Sequence, residues 1–133
     1  MRLQRLAWGS ARVLFGLFFL YAPIMIMIEF GGNHPPETVA AAAHFTEALT
    51  ATRFMNPALI AVLLAGGAAM LLDRSAPVGL LLLAPPIFVI AGFHWFLTGS
   101  YLWGSIWPLW WAVLAWHYRH VFARLWERRG AGG

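Results

Sequence analysis

At 133 residues, 61% of them apolar and 11% charged, the chain carries more hydrophobic side chains than a water-soluble domain of its size can hide, so lipid must be the solvent for most of it. Its positive charge comes from nine arginines and no lysine, placed where membrane topology, not nucleic-acid binding, would put them. With no cysteine, the chain is barred from disulfides, thiolate nucleophiles, thiolate metal sites and Cys-x-x-Cys redox relays.

The first predicted element is a membrane span over residues 6–29, with Pro23 inside it as a kink that frees the carbonyl of Phe19. Met1-Arg2-Leu3-Gln4-Arg5 before an apolar run has the look of a signal peptide. The run continues to Ile28 without a small-x-small cleavage site, however, so a retained helix is expected. After the breaker Asn33-His34-Pro35-Pro36, residues 36–53 repeat Val39, Ala42, Phe45 and Leu49 at helical spacing. That modest stripe predicts a helix lying at the interface or over the bundle mouth. A second span is expected over 56–72, opened by Asn56-Pro57. Its Ala58, Ala61, Ala65 and Ala69, with Gly66 and Gly67, form a small-residue surface for close helix approach, inside the bundle or against another subunit. The third, 77–97, is bent by Pro85-Pro86. The fourth, 105–123, has Ser105 as cap and Pro108 in its first turn.

The expected fold is therefore a single all-α domain over 1–133, an integral membrane four-helix bundle with an additional interfacial helix between spans one and two. The positive-inside rule gives its orientation. With both termini cytoplasmic, Arg2, Arg5, Arg12, Arg74, Arg119, Arg124, Arg128 and Arg129 face inward, and Arg53 alone lies outside beside Glu29, Glu37 and Glu47.

Among residues that could carry chemistry, His94 in Phe93-His94-Trp95-Phe96 stands out, because an ionisable group at membrane depth is costly unless it is partnered. Glu29 reaches the same outer level. Together with Trp95 and Trp107, the two residues define a tentative pocket for a quinone or another polar head; the alternative places them as ordinary headgroup-zone side chains. Trp107, Trp110, Leu114, His117 and Val121 share one face of the fourth span, suited to packing or lipid contact and alternatively to a flat hydrophobic ligand. His117 and His120 share a helix face but lack further ligands, and Arg119 and Arg124 would repel a cation. Bis-histidine haem would need two rings facing each other at one depth, for which His94 with His44 is the only arguable pair. No catalytic residue and no metal site are assigned. No cofactor is firmly implied, quinone being the one candidate.

Read end to end, the chain resembles the DoxX-like family of small four-span membrane proteins. The resemblance rests on Ala11-Arg12-Val13-Leu14-Phe15-Gly16, the Pro35-Pro36 loop, Phe45–Thr52, Leu71-Leu72-Asp73-Arg74-Ser75-Ala76-Pro77-Val78-Gly79-Leu80, Leu83-Ala84-Pro85-Pro86 and Phe93–Leu97, in that order. It implies a four-helix bundle in the bacterial inner membrane. It also implies association with quinone-linked or other redox complexes, with partners among lipid, other membrane subunits or further copies of the chain, and no nucleic acid. Two departures bear on chemistry. The family's acidic residue early in the second span is missing from Ala61–Gly67, and its Thr-Gly-Tyr reads Thr52-Arg53-Phe54. The expected role is thus a non-catalytic accessory or structural subunit, with a quinone-binding subunit of an oxidoreductase as the alternative.

Overall fold

The computed structural model describes residues Met1–Glu127; Arg128 and Arg129, two of the arginines counted above, lie outside the described residues. Among the described residues the secondary structure is wholly helical. The elements are α1 (Arg2–Phe30), α2 (Ala40–Ala51), α3 (Met55–Met70), α4 (Ala76–Gly92) running into a π-helical segment (Phe93–Thr98), α5 (Tyr101–His117) and the short α6 (Arg119–Ala123). Two helical stretches, Arg2–Phe30 and Ala76–Thr98, are long and apolar enough to cross a membrane. A third is added if α2 and α3, which meet at 93°, count as one broken span. The chain is a membrane protein: its large side chains Leu14, Leu17, Ile28, Phe88, Phe96 and Leu109 face outward from these helices, as an apolar solvent requires.

Element boundaries follow local chemistry. α1 ends at Gly31, whose left-handed φ of 62° lets its N–H and that of Gly32 both return to the carbonyl of Ile26. Pro23 is accommodated inside α1, and buried. The loop helix is shorter than its apolar stripe suggests: Glu37 to Val39 precede it, Val39 is extended, and α2 begins only at Ala40. The last helix departs from expectation at its start. Ser105 is not its cap; the helix begins a turn earlier at Tyr101, and the Ser105 hydroxyl donates to the Tyr101 carbonyl at 2.6 Å. Pro108 consequently sits within α5, where its missing N–H leaves the Gly104 carbonyl without a helical partner. At the far end the helix breaks at Tyr118.

α3 packs against both α1 and α4, and α5 packs against α4 and, through its rings, against α1. Two different seams result. Along α1–α3–α4 the backbones nearly touch: a Cβ on Gly67 would stand 3.0 Å from the carbonyl oxygen of Gly16, and one on Gly79 would stand 2.9 Å from that of Gly66. The α1–α5 seam is filled instead by rings. Phe18 stacks on Trp107 at 3.7 Å between centroids, and Phe15 meets Trp110 at 5.5 Å. Between the seams Phe15, Phe19, Leu63, Met70, Leu80, Leu83, Ile87 and Leu114 form an apolar core, joined by the rings of Trp107 and Tyr118.

Candidate functional site

Polar groups collect at the two ends of this packed unit. At one end, here the base, lie the start of α1, the 71–75 turn and Tyr118. Arg12 donates from Nη1 to the carbonyl of Met70 at 2.9 Å, placing a cation on the C-terminus of α3. The Tyr118 hydroxyl donates to Asp73 Oδ1 at 2.6 Å, joining the end of α5 to the turn before α4. Trp8 lies flat on His117, centroids 4.1 Å apart, so His117 is engaged in packing. His120 is exposed.

The opposite end, the mouth, is formed by residues 31–54 and the π-helical segment. Extra residues per turn make π-helix uncommon, and it recurs where a side chain has to be re-aimed. Here it carries His94, half-buried. The Thr98 hydroxyl donates to the His94 carbonyl at 3.2 Å and lies 3.3 Å from His94 Nδ1, tying the ring to the next turn of its own segment. Gly104 makes room for this segment: a Cβ there would stand 2.6 Å from Trp95 Cδ1 and 2.8 Å from His94 Cβ.

The carboxylate near enough to act on His94 electrostatically is Glu37. Glu29 is exposed on the last turn of α1, and His94 makes its hydrogen bond with Thr98. Trp95 is exposed and donates its indole N–H to Ser105 Oγ at 3.1 Å. Trp107 belongs to the core, 6% exposed, with Phe18 and Trp110 stacked on it. His94 and Trp95 therefore share the segment over Gly104, while the ring of Trp107 is taken up by packing on Phe18. His44 is exposed on α2. Among the described residues no three His, Asp or Glu side chains are grouped so as to hold a metal ion.

Two cavities open at the mouth. The larger, about 600 Å³, lies between the end of α1 and the start of α3, with Asn33, Thr50, Arg53 and Asn56 on its rim and Met27, Ile60 and Leu64 below. The smaller, about 490 Å³, lies under α2 and is lined by His34, Glu37, Thr46 and Glu47 among others. Asn56, 5% exposed, donates from Nδ2 to Thr50 Oγ1 at 3.0 Å, while its Oδ1 is buried without a hydrogen bond of good geometry. His34 stands nearby; burial holds its pKa below the ordinary value, with the Glu37 carboxylate and the Asn56 side chain pulling the other way.

Sequence reasoning missed Asp73–Tyr118, Asn56–Thr50 and the place of Glu37. Each pair joins residues from different elements, and single-chain periodicity does not report such pairings. An acid beside Arg74 in a tight turn was the one visible signal for Asp73. No family model, curated protein or solved structure matches the chain.

Proposed function

We propose that the chain is a four-span protein of the bacterial inner membrane, termini cytoplasmic, serving as a non-catalytic accessory or structural subunit of a larger membrane complex, as its resemblance to the DoxX-like family suggests. The carrying observation is the close packing: the α1–α3–α4 seam brings backbones into contact at Gly16, Gly66, Gly67 and Gly79, and apolar side chains from Phe15 to Leu114 fill the interior. In this reading α3 and α5, of 16 and 17 residues, span the bilayer beside the two longer helices, and α2 lies at the outer interface. The base is then cytoplasmic, in keeping with its arginines. Gly66 and Gly67 are used within the chain, whereas Ala58, Ala61, Ala65 and Ala68 form an exposed row on α3. A partner helix could approach closely there.

Single cysteines introduced at Ala65 and Ala68 test the docking role, since the chain has none of its own. Cross-links from both positions to one membrane subunit, and none from Val113 on α5, are expected. Equal yields from all three would overturn the reading. Labelling from outside at Ser75 would overturn the four-span topology.

A quinone-binding subunit is the second reading, and the half-buried His94, on which the Glu37 carboxylate acts electrostatically, favours it. If it holds, His94→Phe and Glu37→Gln each weaken quinone binding while the protein still inserts. Parent-like binding by both variants, and by Glu29→Gln, leaves the accessory role alone.

A further inference from the structure

We propose that the larger cavity at the mouth binds an anionic phospholipid, its phosphate held by Arg53 and an acyl chain laid along Ile60, Leu64 and Met27. The cavity is graded as an amphiphile is. Arg53, Asn33 and Thr50 occupy the rim, and the walls become apolar along the first turns of α3. Its volume, about 600 Å³, falls within the range of small-molecule sites.

Arg53 is the group that selects for charge. Around it the two threonine hydroxyls are already engaged. The Thr50 hydroxyl donates to the Thr46 carbonyl and accepts from Asn56, and the Thr52 hydroxyl donates to the Leu49 carbonyl and accepts from the Met55 N–H. Arg12 and Arg119, at the base, donate to the carbonyls of Met70 and Trp116. The Arg53 guanidinium makes no such bond among the described residues and presents up to five N–H donors in a fork that fits two phosphate oxygens. No carboxylate lines the cavity to compete with a ligand.

The backbone adds a second, independent observation. Arg53 has a φ of 67°, the one non-glycine residue among those described with a positive value. Glycine would adopt that conformation without steric cost, and arginine adopts it only against resistance. Strain kept at the rim of a cavity indicates that the side chain is wanted there. A soluble anion would meet the guanidinium but leave Ile60 and Leu64 bare; a neutral lipid would fill the floor but leave the charge unanswered.

The test uses the full chain in mild detergent, with native mass spectrometry and thermal unfolding followed during titration with phosphatidylglycerol or phosphatidylcholine. The parent should retain one phosphatidylglycerol with at least a tenfold preference over phosphatidylcholine. Arg53→Gln should reduce that preference to near unity, and Leu64→Trp should abolish retention by filling the floor. Arg74→Gln, at the base, should leave it unchanged. Arg53→Gly guards against misfolding as an explanation: it relieves the backbone, so it should unfold no earlier than the parent in lipid-free detergent and still lose the lipid. Retention at parental affinity by both Arg53→Gln and Leu64→Trp would overturn the proposal. Displacement of the lipid by glycerol phosphate at equal concentration would also overturn it, in favour of a soluble phosphate ligand.

Discussion

The base and the mouth use the same kinds of residue to opposite effect. At the base, polar groups find partners across elements: Arg12 on the Met70 carbonyl, Tyr118 on Asp73, His117 against Trp8. The glycines that bring backbones together, Gly16, Gly66, Gly67 and Gly79, lie in the half of the packed helices nearer this end. At the mouth, Gly31 and Gly99 serve turns with positive φ, Gly104 makes room for the side chains of His94 and Trp95 where the base glycines admit backbone, a Cβ on Gly92 would meet nothing within 4 Å, and the buried Oδ1 of Asn56 has no hydrogen bond of good geometry. One end is closed by direct contact, and the other keeps two cavities. Local stability should follow the same division, since openings with ligand access are drawn from the less tightly packed parts of a fold.

Glycine substitutions should give the largest break in that contrast. The nearest neighbours of a Cβ on Gly67 are backbone atoms, Gly16 O at 3.0 Å, Leu20 N at 3.1 Å and Phe19 C at 3.1 Å, which cannot rotate away. Gly67→Val should therefore destabilise the protein by about 3 kcal/mol, as over-packing does. Gly92→Ala should instead stabilise it by roughly 0.5–1 kcal/mol through helix propensity alone. Unfolding in mixed micelles by denaturant measures both. A neutral Gly67→Val would remove the basis for treating the base as the closed end.

A smaller effect attends the polar tie between the last helix and the turn. Tyr118→Phe removes a hydrogen bond to a carboxylate, a contribution of about 1.5 kcal/mol, and Asp73 is exposed enough to regain water in exchange. A double-mutant cycle with Asp73→Asn should show coupling between the two positions. The same cycle on Asn56→Leu and Thr50→Val should give less, because Asn56 leaves its oxygen unsatisfied in the parent. Equal coupling at both ends would dissolve the distinction.

The helical elements were legible in the sequence because apolar length is a strong signal. The span over 77–97 coincides with Ala76–Thr98, which is long and apolar enough to cross a membrane; the helix expected over 56–72 coincides with Met55–Met70, which reaches that length only together with α2 as a bent pair. Boundaries governed by turn chemistry were less so. Ser105 beside a nearby proline resembles a helix start, yet Gly104 had to lie inside α5 to receive Trp95 and His94, a constraint visible only once the segments meet. The candidate site was half legible. His94 could be singled out as an ionisable residue in an apolar run, and Trp95 does accompany it. Depth along the chain pairs His94 with Glu29 but does not report which helices are neighbours. α3 packs against both α1 and α4, and the nearby carboxylate comes from the loop after Pro36. Trp107 looked like a ligand-facing ring because stacking on Phe18 and lining a pocket share the same helical spacing.

The smallest expected effect concerns His34, and its sign separates the mouth from the base. Burial disfavours the charged ring, so the folded-state pKa lies below the ordinary value of 6.5 that the unfolded chain retains. Between those two values the unfolded state binds more protons than the folded one, and stability must fall as pH drops below 6.5. Once pH passes below the folded-state value both states are protonated and the loss stops growing. His34→Gln should remove this portion of the pH dependence. Glu37→Gln should enlarge it, because the carboxylate is one of the groups favouring protonation of the ring. Asn56→Leu should enlarge it too, since the amide acts in the same direction. The quantity to compare is the difference in unfolding midpoint between each variant and the parent from about pH 7.5 to about pH 5. If His34→Gln follows the parent across that range, the ring is not held neutral by the mouth; if Glu37→Gln flattens the curve instead of steepening it, the carboxylate does not act on His34 as its position implies.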